Sequence, residues 1–221
     1  METKPIAQLV GKALAEVREL PTKDEPMTTP ALLQKRYPKL AEFNTFGEPS
    51  LVAAKRETET FIRSIKTGLQ PYALSLLGNS GTGKTMLSKI VMGELRVNGW
   101  GCIESVAERI EGGKFIRATA SFRDWRRVSD KIKSGEYDII DALEEPFLLV
   151  LDDVGSDYDP SKMVASKLDR LIRSRRGKWT FITCNLLLHQ VAEGLDPRIA
   201  SFMIRDGNKV VEINSTDFSL R

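Results

Sequence analysis

Residues 3–20 place Ile6, Leu9, Val10, Ala13, Val17 and Leu20 at helical spacing, which predicts a helix with one apolar face. Pro21 ends that pattern, and Pro26 and Pro30 bound a polar stretch that reads as a linker. A weaker segment over 31–46 runs into Gly47-Glu48-Pro49. From about residue 50 onward helical and strand-like pieces alternate. Helices are predicted over 50–67 and 84–97, with a strand over 72–77 and a glycine-rich loop between them. A strand over 115–118 follows, then one basic and one acidic helical segment. An apolar strand over 147–151, a helix over 162–175 and strands over 180–184 and 209–213 complete the pattern. The stretch 98–113 fits neither period. Such alternation predicts an α/β domain, a mostly parallel sheet flanked by helices, over 49–221. Residues 1–48 then form a helical extension with its linker.

The loop between the first strand and its helix reads Gly78-Asn79-Ser80-Gly81-Thr82-Gly83-Lys84-Thr85, an unbroken GxxxxGK[ST] run. Glycines let the backbone turn tightly enough for its N–H groups to converge on phosphate oxygens. The helix that starts near Lys84 aims its positive end at the same anion. Lys84 is then placed for the β- and γ-phosphates, and Thr85 for Mg²⁺. A chance glycine loop would lack the strand before it and the helix after it.

The strand over 147–151 ends in Asp152-Asp153. A buried strand closing on a carboxylate suits the second half of a nucleotide site, with Asp152 in the Mg²⁺ shell and Asp153 polarising the attacking water. By itself the segment reads equally as a strand before an acidic turn. The strand over 180–184 leads to Asn185, which either reaches between the γ-phosphate and the water or caps a helix before Leu186.

Composition changes this picture little. The 221 residues suffice for one medium domain and a short appendage, with 41% apolar and 29% charged residues. Net charge is only +3, so contact with nucleic acid requires local patches. Cys102 and Cys184 lack a CxxC spacing and His189 is the one histidine, which excludes a standard zinc site and suits buried thiols of a reducing compartment. The run 147–151 is too short to cross a bilayer, and the expected location is cytoplasmic, without a membrane partner.

With these segments placed, the chain resembles the DnaC-type helicase loaders and, beyond them, the IstB-type transposition ATPases and the replication initiators of the AAA+ superfamily. The likeness spans 45–221 and rests on the loop 78–85, the strand and turn 147–155, the strand 179–186 and the run 196–203. The ending, from Gly207-Asn208 through a strand to Asp217-Phe218, fits as well. The resemblance implies an ASCE-type P-loop AAA+ fold without a separate lid domain. It also implies ATP and Mg²⁺ at the loop and ATP-dependent homo-oligomers whose nucleotide sites are shared between subunits. In such assemblies an arginine reaches a neighbour's γ-phosphate. Arg198 matches the first arginine of the family's run, but Phe202 stands at the second, and Arg205 one turn on is the substitute; both also read as surface arginines paired with carboxylates. Many relatives carry glutamate where Asp153 stands, and the shorter side chain predicts slow hydrolysis. The stretch 98–113 is longer than loaders usually have there.

Two clusters are basic. Arg123, Arg126, Arg127, Lys131 and Lys133 accompany Trp125, and Lys167, Arg170, Arg173, Arg175, Arg176 and Lys178 lie on and just after the helix predicted over 162–175. Charge runs are commonly solvated faces, and Trp125 fits a core as well as a base platform. The resemblance implies single-stranded DNA at Arg123, Arg126, Arg127, Arg173, Arg175 and Arg176. The helix at 3–20 buries its stripe on its own domain or on a partner; the resemblance implies a replicative helicase. The leading reading is therefore an ATP-hydrolysing helicase loader. A transposition helper and a nucleotide-switched binding module with little hydrolysis are the alternatives.

Overall fold

The computed structural model describes residues 29–97, 105–111, 114–156 and 159–218. The expected helix at 3–20 lies outside them. Thr29 caps a first helix, α1 (Pro30–Arg36), and α2 (Pro38–Ala41) and α3 (Pro49–Lys66) follow, each with proline in its first turn where no N–H is needed. Next come β1 (Ala73–Gly78), α4 (Lys84–Val97), β2 (Ser105–Glu111), β3 (Lys114–Asp124), α5 (Trp125–Lys133) and α6 (Asp138–Glu144). The chain continues through β4 (Leu148–Val154), α7 (Met163–Ser174), β5 (Trp179–Cys184), α8 (Leu188–Gly194), α9 (Pro197–Ile204) and β6 (Lys209–Ile213).

The strands form one sheet in the order β2-β3-β4-β5-β1-β6. The five from β3 to β6 are parallel, and β2 joins the edge antiparallel to β3. Parallel neighbours require crossovers, so helices cover both faces and the central strands are apolar on both sides. On one face Leu74, Leu76, Leu148, Val150 and Phe181 meet Phe61 and Ile62 of α3 and Leu87 and Val91 of α4. On the other, Leu77, Leu149, Leu151 and Ile182 meet Trp125, Leu168, Ile172 and Phe202. Tyr37, Leu40 and Phe43 belong to the first layer, and Glu94 of α4 accepts the Leu40 N–H at 2.9 Å. Residues 37–43 are thus packed into the α/β body although they precede residue 49.

The differences from the expected elements have local causes. β3 runs from Lys114 to Asp124 rather than over 115–118, because Ala120 and Phe122 still pack on the first layer while Ser121 and Arg123 break the apolar run. Within 98–113 lies β2, whose Glu108, Arg109 and Glu111 hide a strand from any hydrophobic count. β4 extends to Val154 because the chain resumes pairing with β5 beyond an irregularity between Leu151 and Val154.

Arg175, expected to face DNA, is an interior residue with 1% exposure. Its guanidinium donates to the carbonyls of Leu143, Glu144, Pro146 and Trp179 and to Thr180 Oγ1, at 2.7–3.3 Å. Burial pulls its pKa down to about 10, so it stays charged at neutral pH. The five donors of an arginine fork satisfy the carbonyls left over where α6 ends and β5 begins. Arg175→Ala should therefore lower stability by roughly 3 kcal/mol, a fall in Tm of ~6–12 °C. Arg175→Lys should recover little of it. Thermal and urea unfolding would measure this, and a loss below about 1 kcal/mol would mean the carbonyls find water instead.

Candidate nucleotide site

The glycine-rich loop sits where β1 ends between β5 and β6. Gly78 has φ +131°, and a Cβ there would meet the Ile213 carbonyl oxygen of β6 at 2.3 Å, so only glycine fits. Lys84 opens α4 and is 5% exposed. Its ammonium turns onto its own loop and donates to the Gly78 and Asn79 carbonyls at 2.7 and 2.5 Å and to Thr82 Oγ1 at 3.3 Å. Burial pulls the Lys84 pKa down to about 8, against the opposing pull of Asp153 and Asp152.

Asp152 stands in β4 opposite Asp124 of β3 and is 6% exposed. Its Oδ1 accepts from Thr183 Oγ1 of β5 at 2.7 Å and from Ser88 Oγ of α4 at 3.0 Å. Three elements are thereby tied to one carboxylate. Asp153 has φ +64°, a left-handed conformation that Asp tolerates better than most residues. Its N–H donates to Thr183 Oγ1 at 2.9 Å, Oδ1 accepts from Asn185 Nδ2, and Oδ2 lies 3.5 Å from Arg126 Nη2. Asn185 is not a helix cap, because α8 starts only at Leu188 behind Leu187.

A cleft of about 720 Å³ joins these groups. It is lined by residues 80–86, Asp124, Arg126, Asp152, Asp153, Asn185, Asp217 and Phe218. The predicted Lys84, Thr85, Asp152, Asp153 and Asn185 therefore converge. Ser88 and Thr183, which aim Asp152, were not anticipated, though Ser88 lies one turn beyond Lys84 on the same helix face. Nor were Asp217 and Phe218. The Phe218 N–H donates to the Gly81 carbonyl at 2.8 Å, and its ring packs with Phe43 against Gly83 and edge-on to Phe46 at 5.2 Å. Only the return of the chain after β6 brings that tail to the loop.

Other expected contacts fall elsewhere. Arg198 and Arg205 lie at the two ends of α9 and do not line the cleft of their own chain; Arg198 Nη1 is 4.0 Å from Asp169 Oδ2. Arg127 pairs with Asp124 at 3.8 Å and Arg176 with Asp206 at 3.8 Å at the surface, and Arg173, half exposed, pairs with the largely buried Asp169 at 2.9 Å. Arg123 is half-buried on β3, and Trp125 is core. Arg126, expected on the DNA face, instead enters the cleft, because it follows Asp124, the strand partner of Asp152.

Magnesium favours a few oxygen ligands and fills its remaining positions with water and phosphate. The buried carboxylate of Asp152, aimed by two hydroxyls, and the exposed Thr85 beside it in the cleft suit that demand. Among the described residues no cluster of three or more His, Cys, Asp or Glu could hold a metal, and no helix is long and apolar enough to cross a membrane.

No protein-family model and no curated protein matches the chain. Solved structures do. DnaI is 20% identical with a TM-score of 0.61, over 80% of this chain and 88% of that one. The DnaC helicase loader is 19% identical with a TM-score of 0.57, over 79% and 96%. The replication initiator DnaA, bound to AMPPCP and single-stranded DNA, is 17% identical with a TM-score of 0.53, over 74% of this chain and 46% of the initiator. The fold is the P-loop AAA+ fold of these proteins.

A phosphate placed beside Lys84 would restore its charged form, so binding takes up a proton above the free-state pKa of about 8. Because the bound-state pKa is the higher one, affinity is fullest below that value and falls as pH rises through it. Affinity for a non-hydrolysable ATP analogue should weaken roughly five- to tenfold between about pH 7.5 and 9. Isothermal titration at several pH values would test this; a flat profile would mean that the free lysine is not depressed.

Proposed function

We propose that this P-loop AAA+ chain is an ATP-hydrolysing helicase loader for DNA replication. The observation that carries the reading is the convergence of Lys84, Asp152, Asp153 and Asn185 on one cleft at the ends of the parallel strands. In this reading the loop amides and Lys84 hold the β- and γ-phosphates, while Thr85 and Asp152 hold Mg²⁺. When bound, Mg²⁺ neutralises charge on those phosphates. Asp153 accepts a proton from the attacking water and Asn185 orients that water. Turnover is slow, because Asp153 is short and already bonded to Asn185 and Arg126.

Single-stranded DNA lies along Arg127, Lys131 and Lys133 of α5, with Arg173 and Arg176 as further phosphate contacts. Residues 3–20 hold the replicative helicase. Subunits assemble around ATP, with Arg198 or Arg205 of one facing the nucleotide of the next. The similarity to DnaI and the DnaC helicase loader over most of their lengths supports the loader reading. A second reading, an ATP-gated binding module, is favoured by the same occupied state of Asp153.

Hydrolysis by the purified protein should be slow alone, rise with single-stranded DNA, and fall at least ~100-fold in Lys84→Ala. Loss of the trans arginine should lower it by about 10³-fold or more. Stimulation by duplex alone would point to a transposition helper. ATP binding without turnover under every condition would leave the ATP-gated module.

A further inference from the structure

The cleft is charged against its own substrate. Its lining holds four carboxylates, Asp124, Asp152, Asp153 and Asp217, and two cations, Lys84 and Arg126. Lys84 is fixed inside the loop by three hydrogen bonds, whereas the Arg126 side chain is 60% exposed. Its backbone is held firmly: Trp125 beside it is buried, and the Arg126 N–H donates to Asp124 Oδ1 at 3.0 Å. Its guanidinium makes one 3.5 Å contact, with Asp153, longer than the ~2.7–2.9 Å of a good charge-assisted bond. A partly exposed pair at that distance contributes little, so exchanging the partner costs little. A terminal phosphate offers more negative charge and three oxygens in the geometry that a guanidinium fork matches.

We propose that Arg126 is a ligand of the γ-phosphate from the same chain, and that it makes the cleft discriminate ATP from ADP. The proposal rests on the cleft being an ATP site. It assigns to nucleotide a residue whose position along the chain suggested DNA. ADP leaves Arg126 on Asp153; ATP draws it inward.

The test measures binding of Mg·ATPγS and Mg·ADP to the full-length protein, to Arg126→Ala and to Lys89→Ala, which removes an exposed charge from the helix behind the loop. Arg126→Ala should weaken ATPγS by about 10-fold or more and ADP by less than about 3-fold, while Lys89→Ala leaves their ratio unchanged. Equal effects on both nucleotides in Arg126→Ala, or an equal shift of the ratio in Lys89→Ala, overturn the proposal. So does a loss of single-stranded DNA affinity in Arg126→Ala with the nucleotide ratio unmoved, which returns the residue to the DNA face. If the parent protein binds neither nucleotide, the ATP reading of the cleft fails first; normal ADP binding with an unmoved ratio sinks the Arg126 assignment alone.

Discussion

The site depends on one buried carboxylate. Asp152 sits in β4 directly after the apolar run Leu148–Leu151, and a buried carboxylate there is tolerable only if its oxygens are bonded. Thr183 and Ser88 supply the bonds from β5 and α4, so the same contacts that make the charge acceptable also join the loop helix to the two central strands. Thr183 has a second role, since its hydroxyl oxygen accepts the Asp153 N–H and holds that residue in its left-handed conformation. Asp152 and Asp153 are therefore both set by a single threonine. This is how a parallel sheet delivers precise chemistry: the polar groups cluster where the strands end, and the strands themselves remain core.

A comparable economy operates at the opposite end of the sheet. Arg175 has no carboxylate partner among the described residues and is held instead by carbonyl dipoles converging from α6, the turn before β4 and the start of β5. A buried cation bonded in this way welds segments distant in sequence, and it explains why a basic run along α7 does not present one continuous positive face. Of the remaining arginines, Arg176 meets Asp206 at the surface, where such a pair contributes little, and Arg173 meets the largely buried Asp169.

The loop is also flanked by segments from both ends of the α/β body. Phe43 and Phe46 precede α3, and Phe218 follows β6, yet the three rings meet beside Gly83. Gly83 is 3.1 Å from two of those rings at the point where a Cβ would stand, so the glycine serves packing as well as the phosphate turn. The segment before α3 and the tail after β6 thus wall the cleft together.

Local pattern determined the α/β class, the loop 78–85, the strands leading to Asp152 and Asn185, and helix α4, because each is a contiguous run with its own period or its own glycines. It also determined β6, a short β-branched strand bounded by turn residues. What it could not determine were features made by residues remote from one another. β2 and the ends of β3 are strands because they pair, not because they are hydrophobic. Arg175 and Arg126 are alike on paper, two arginines in basic runs; the fold buries one against carbonyls and turns the other toward Asp153. Charge is a property of a residue, but its partner is a property of the packing, and only the tertiary structure decides what lies within a few ångströms of a guanidinium.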